Sequence, residues 1–190
     1  MKIRPVAAFA PILVMLAACQ PSAEDNASDA AAPSGNTASQ QPVPDVVAQA
    51  DLAATDGTPR GMARVTRKPG GLVVNVQASG MAPGQYGLHV HSVGTCAAPD
   101  FKTAEGHWNP TGAQHGFDNP AGPHLGDLPN LTIGADGKGI VDFSLAGATV
   151  AGLFDSDGSA IVVHAGPDDL KTDPSGDSGA RIACGVLRAP

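Results

Sequence analysis

From residue 46 onward, apolar and polar positions come in short bursts divided by turn residues. Residues 46–54 predict a first strand, closed by Asp56-Gly57. In residues 61–67, Met62, Arg64 and Thr66 alternate with Ala63 and Val65, the period of a half-buried strand. Pro69-Gly70-Gly71 turns the chain, and residues 72–76 are β-branched and apolar, hence a further strand. Residues 81–84 break the pattern and 86–92 resume it. Residues 130–133 and 140–145 flank Ala135-Asp136-Gly137-Lys138-Gly139, a hairpin signal. Residues 159–164 predict a strand with a buried stretch at Ala160-Ile161-Val162-Val163, and residues 181–187 predict the last. Two segments stay without a period: residues 93–129 and residues 165–180. Many short strands with Gly-rich turns predict an all-β antiparallel sandwich or barrel, and no internal repeat is visible.

Composition agrees. Gly 24 and Pro 17 in 190 residues suit a loop-rich domain, and the charged share of 15% is well below the usual share of about 25%. A coiled coil, a helix bundle and a collagen-like rod are excluded. The formal net charge is −7. A duplex repels such an anion, so nucleic acid is excluded as the main partner.

The start of the chain carries an export signal. Lys2 and Arg4 precede an uncharged stretch that runs to Ala18, shorter than the roughly 20 residues of a spanning helix. Residues 1–18 therefore predict a secretory signal peptide. Leu16-Ala17-Ala18-Cys19 resembles the lipobox of bacterial lipoproteins, in which the cysteine is lipidated. An ordinary signal cleaved near Ala17-Ala18 is the alternative. With a lipidated Cys19 followed by Gln20, the expected place is the periplasm or cell envelope, anchored to the outer membrane. Residues 19–44, rich in Ala, Ser, Pro, Gln and Asn, predict a flexible tether, because they bury too little apolar surface to offset ordering. Residues 45–190 form the folded domain. Loss of Lys2 and Arg4 makes the mature chain two charges more negative.

The chemistry lies in six histidines: His89, His91, His107, His115, His124 and His164. His89 and His91 are two apart on a predicted strand, so their rings share a face. His107, His115 and His124 fall on the long segment 93–129, with Asp127 close behind. A long loop in a compact domain is functional or disordered, and a metal held by its own side chains would order it. His164 ends a buried strand and can return to the same place. An imidazole-rich set with one carboxylate suits copper, zinc, iron or nickel better than magnesium or calcium.

Gly87-Leu88-His89-Val90-His91, Gly106-His107-Trp108-Asn109-Pro110, His115-Gly116, His124-Leu125-Gly126-Asp127-Leu128-Pro129-Asn130, Val162-Val163-His164 and Gly179-Ala180-Arg181-Ile182-Ala183-Cys184-Gly185-Val186 resemble the copper/zinc superoxide dismutases in order, spacing and residue type. The resemblance covers roughly residues 46–188. It implies a Greek-key β-barrel or sandwich with long metal-binding and electrostatic loops. It implies one copper per subunit, held by His89, His91, His107 and His164, and one zinc, held by His107, His115, His124 and Asp127. His107 would bridge the two ions. The implied reaction is disproportionation of superoxide to oxygen and hydrogen peroxide, with His107 taking a proton in turn. Zinc would stay redox-silent and hold the loop.

The same resemblance gives Asp168 the task of linking His89 to His115 behind the metals. It makes Arg181 a catalytic residue that draws the anion towards copper. Lys171 is a weaker candidate for steering, because the second loop departs from the common pattern at Lys171-Thr172-Asp173-Pro174. Trp108, where the family often has Phe, is expected to pack the loop. Cys96 and Cys184 are an even pair in an exported chain and are expected to form a disulfide. Closing that loop contributes about 4.5 kcal/mol on the chain-entropy model. The expected partners are superoxide as substrate and the membrane through the lipid anchor only; a homodimer is left open. A non-catalytic copper- or zinc-binding envelope protein on the same scaffold is the alternative, which loss of a copper histidine would favour.

Overall fold

The computed structural model describes residues 45–190; the expected leader, Cys19 and the tether lie outside the described residues. Nine strands follow in chain order: β1 (Val46–Ala53), β2 (Pro59–Lys68), β3 (Gly71–Ser79), β4 (Gly84–Tyr86), β5 (Leu88–His91), β6 (Leu131–Ile133), β7 (Lys138–Ala146), β8 (Ala160–His164) and β9 (Arg181–Val186). Seven form one antiparallel sheet in the order β5-β8-β9-β1-β2-β3-β7, and β4 pairs with β6. The non-sequential order is that of an all-β Greek-key barrel, as expected.

Alternation decides which face is buried. On β3, Leu72, Val74, Val76 and Ala78 point inward; on β1, Ala48, Ala50 and Leu52 do; on β2, Ala63 and Val65. These side chains meet Val141 and Leu145 of β7 in one apolar core. At about 25 cal/mol per Å² such burial is the main stabilising term.

One expectation is corrected. The stretch 86–92 is not one strand, because the chain breaks at Gly87 between β4 and β5. Gly87 N–H goes to Gly166 and its carbonyl accepts from His164, so this residue bonds outward to the second loop. A Cβ there would lie 2.7 Å from Ser178 Cβ, which reserves the position for glycine. Between β7 and β8, in a stretch given no expected element, lies a short helix, α1 (Val150–Leu153); Thr149 caps it by accepting from Gly152 N–H.

Long loops lie between β5 and β6 and between β8 and β9. The Cys96–Cys184 disulfide ties the first to β9. Trp108 is 5% exposed and packs in the main core, as expected for a residue that anchors its loop. Asp168 N–H donates to Asn130 Oδ1 at 2.8 Å, and Asn130 Nδ2 donates back to the Asp168 carbonyl at 2.8 Å. That reciprocal pair joins the ends of the two loops.

Candidate metal centre

All seven expected ligands are buried; six fall in two groups able to hold a metal ion, and His124 Nδ1 lies beside them, 3.3 Å from Asp127 Oδ1. On β5, His89 and His91 lie two residues apart and face one way; β8 pairs beside them, His89 opposite Val162. His164 ends β8. The β8–β9 register slips after Val163, so that Arg181 rather than Ile182 stands opposite His164. This irregularity turns Arg181 towards the histidines. The first loop crosses back over β5, with single bridges from His91 to His107 and from His89 to Asp127.

The hydrogen bonds set the ring tautomers. His89 Nε2–H donates to Asp168 Oδ2 at 2.6 Å, His91 Nδ1–H to the Glu105 carbonyl at 2.8 Å, and His164 Nδ1–H to the Gly179 carbonyl at 3.1 Å. Each ring keeps its other nitrogen as a lone pair: His89 Nδ1, His91 Nε2 and His164 Nε2. The last two are 3.4 Å apart. His89, His91, His107 and His164 can each offer a nitrogen within 4.8 Å of the others. His89 Nδ1 and His107 Nε2 are buried with no hydrogen-bond partner among the described residues. Orphaned buried nitrogens are expensive unless something accepts their lone pairs, and a cation does.

The second cluster centres on Asp127 Oδ1. His107 Nδ1 lies 2.9 Å from it, His115 Nδ1 3.0 Å and His124 Nδ1 3.3 Å; His124 Nδ1 is 3.4 Å from His107 Nδ1. Ligand atoms about 2.0 Å from a tetrahedral zinc are about 3.3 Å from one another, so these spacings fit. Asp127 Oδ2 is held by backbone N–H groups of Gly116 and His124, each at 2.9 Å. His89 can also be grouped with His107, His115 and Asp127. His89 has only Nδ1 to offer and that atom can serve one cluster, whereas His124 Nδ1 stands beside Asp127 Oδ1 at 3.3 Å and His107 Nδ1 at 3.4 Å. His107 thus presents one nitrogen to each cluster. Asp168 Oδ1 accepts from His115 Nε2–H at 3.0 Å while Oδ2 holds His89, the link expected of it.

Burial penalises charge on most of these rings. It pushes His89 down to about 3, His91 to about 2 and His164 to about 4, and it lowers His107. Neutral imidazoles are what a metal needs. His115 is the exception. Burial opposes its cation, but hydrogen bonds to Asp127 and Asp168 prevail and raise it to about 9. Both carboxyls resist burial and fall below the ordinary aspartate value through bonds to His107 and His115 at Asp127, and to His115 and His89 at Asp168.

A cavity of about 390 Å³ opens onto His91, His107 and His164, with Arg181, Pro174 and Ser175 on its wall. Arg181 Nη1 donates to the Phe101 carbonyl at 2.7 Å and Nη2 to the Glu105 carbonyl at 2.6 Å. No carboxylate pairs with it among the described residues, so its charge faces the opening. Glu105, at φ 59° and ψ −149°, offers one carbonyl to both His91 and Arg181. Lys171 is exposed and does not line the opening. A cavity of about 430 Å³ beside the disulfide contains no histidine. Sequence reasoning missed Glu105, which acts through its backbone carbonyl, and Asn130 and Asp173, whose side chains bond backbone groups across the loops. Only Asn130 left a trace, at the end of the ligand-bearing stretch.

A buried array of six histidines on a Greek-key barrel, in two donor clusters that both include His107, makes a site able to hold metal ions. The family model described as copper/zinc superoxide dismutase matches residues 59–187, and the chain belongs to that family. A copper–zinc superoxide dismutase of Aquifex aeolicus is 42% identical over 152 residues, covering 76% of this chain and 88% of that protein. A superoxide dismutase-like protein of Bacillus subtilis is 47% identical over 123 residues, covering 62% and 63%. A crystal structure of a superoxide dismutase-like protein from Bacillus subtilis matches with TM-score 0.70 at 39% identity, covering 74% of this chain and 97% of that one. The copper/zinc enzyme of Brucella abortus matches with TM-score 0.57 at 29% identity, covering 74% and 98%.

Proposed function

We propose that this chain disproportionates superoxide to oxygen and hydrogen peroxide in the bacterial cell envelope. The observation that carries this reading is the paired clusters, with His107 Nε2 unpartnered on one side and Nδ1 beside Asp127 on the other. His89, His91, His107 and His164 would hold copper, and His107, His115, His124 and Asp127 zinc. When bound, copper supplies a one-electron couple beside a redox-silent zinc.

The chain's residues do the rest. Glu105, Gly179 and Asp168 fix His91, His164 and His89 so that each ring points its lone pair inward. With cations on both sides His107 would give up both ring protons, since cations lower the pKa of what they bind. Its Nε2 would be the site where a proton can be held next to the substrate. Arg181 attracts and orients the anion at the opening, within the roughly 8 Å over which charges act at physiological salt. The negative net charge beyond that range is screened.

The location rests on residues 1–19, and the Cys96–Cys184 disulfide supports an oxidising compartment. A metal-binding protein without turnover is the second reading; all four copper histidines are present, which favours the enzyme. The test is superoxide decay by pulse radiolysis with the copper- and zinc-loaded chain. We expect catalytic decay that His164→Ala abolishes while zinc stays bound. Decay no faster than with free protein sinks the enzyme reading, and zinc loss with retained turnover in the variant sinks the ligand assignment.

A further inference from the structure

The rings of both clusters share a pattern: a nitrogen turned away from the ligand atoms is taken by an oxygen. Asp168 takes His89 Nε2 and His115 Nε2, Glu105 takes His91 Nδ1, and Gly179 takes His164 Nδ1. His124 breaks the pattern. Its Nδ1 faces Asp127, but its Nε2 lies 3.7 Å from Asp173 Oδ1, too far for a hydrogen bond.

Asp173 is well placed all the same. The same Oδ1 accepts the His115 backbone N–H at 2.7 Å, so one carboxylate already grips the metal-binding loop. It stands in a turn closed by its own bonds, Gly176 N–H to the Thr172 carbonyl at 2.7 Å and Ser175 N–H to the same oxygen at 3.2 Å. Pro174 and Ser175 of that turn line the opening beside Arg181.

We propose that Asp173 is a positioning residue for zinc, accepting the His124 Nε2–H once Nδ1 is committed to the ion. This rests on the reading of His107, His115, His124 and Asp127 as the zinc ligands. A bound cation polarises the ring and strengthens the donor on its far nitrogen, while a carboxylate behind a histidine fixes its tautomer and raises its basicity. Closure of the 3.7 Å gap draws the 172–176 turn towards His124. Zinc occupancy is thereby felt at Pro174 and Ser175, on the wall of the opening that His91, His107, His124 and His164 share with Arg181.

The test is zinc affinity, by chelator competition on the copper-free full chain, with the cobalt(II) absorption spectrum as a second readout of the ligand field. Asp173→Asn keeps an acceptor for the His115 N–H but removes the charge that His124 would meet. Charge-assisted hydrogen bonds are about twice as strong as neutral ones, so we expect zinc to bind about 5-fold more weakly or worse. We also expect a shifted cobalt spectrum and an unchanged metal-free melting temperature. Asp173→Ala should lose about 10- to 100-fold, and Asp173→Glu should recover part of it. Wild-type affinity and spectrum in Asp173→Asn, with only Asp173→Ala weakened, would reduce Asp173 to a loop clasp and overturn the proposal. If His124→Ala also bound zinc like the wild type, the zinc reading would fall with it.

Discussion

Replacing Asp168 by Asn separates the two metals through hydrogen-bond direction alone. The Asp168 side chain is 1% exposed. Its Oδ1 accepts from Leu170 N–H at 2.6 Å and from His115 Nε2–H at 3.0 Å; its Oδ2 accepts from His89 Nε2–H at 2.6 Å. An asparagine has one acceptor to offer. The Leu170 N–H cannot reverse, so the amide oxygen takes the Oδ1 place and the NH₂ faces His89. His89 must then move its proton to Nδ1 to accept at Nε2, which removes the lone pair assigned to copper. His115 keeps a neutral acceptor and its Nδ1. Losing an outer partner weakens metal binding by about 10- to 100-fold, or about 1.4–3 kcal/mol. That loss should fall on copper, with zinc affinity changed only a few-fold. Separate chelator competitions for Cu(II) and Zn(II) give both numbers, and the Cu(II) EPR spectrum reports the altered ligand set. Preferential loss of zinc, or two unchanged affinities, would refute the tautomer argument.

Two further outcomes follow from the same geometry. Gly176→Ala adds a Cβ 1.9 Å from Asp168 Oδ1 and 2.7 Å from His115 Nε2, at a residue with φ +64°. It should destabilise the chain by about 3 kcal/mol or more and weaken both metals, as denaturant unfolding and metal titration would show; a neutral variant would mean that Asp168 is not held there. Stability of the metal-free chain should peak near pH 7. His89, His91 and His164 stay neutral when folded, down to about 3, about 2 and about 4, so below pH 6.5 the unfolded state binds more protons and stability falls on acidification. His115, raised to about 9, contributes stability that is whole below pH 6.5 and is lost as pH climbs through 9. Urea unfolding from pH 4 to 10 should trace that dome, and a curve still rising from pH 7 to 9 would contradict it.

The strands were legible because each has an inner face, as at Leu72, Val74, Val76 and Ala78, and alternation along a chain records a face directly. The break at Gly87 was not, because it answers to His164 and Gly166, which are distant in sequence. Helix α1 was hidden for a related reason: four residues are too few to show a helical period. The six histidines stood out because imidazoles are few and clustered in this chain, and Asp127 because it follows His124 closely. Their supports did not. Glu105 works through a carbonyl, and Asn130 and Asp173 bond across loops, so no residue type or spacing marks them. Asp168 became visible only through the family resemblance.

Anomalous X-ray scattering from crystals of the metal-loaded chain, recorded at the copper and zinc absorption edges, tests the dinuclear centre most directly. Two peaks should appear, one on each side of the His107 ring: copper among His89, His91 and His164, zinc among His115, His124 and Asp127. One shared peak, or a His107 ring that touches only one ion, would contradict it.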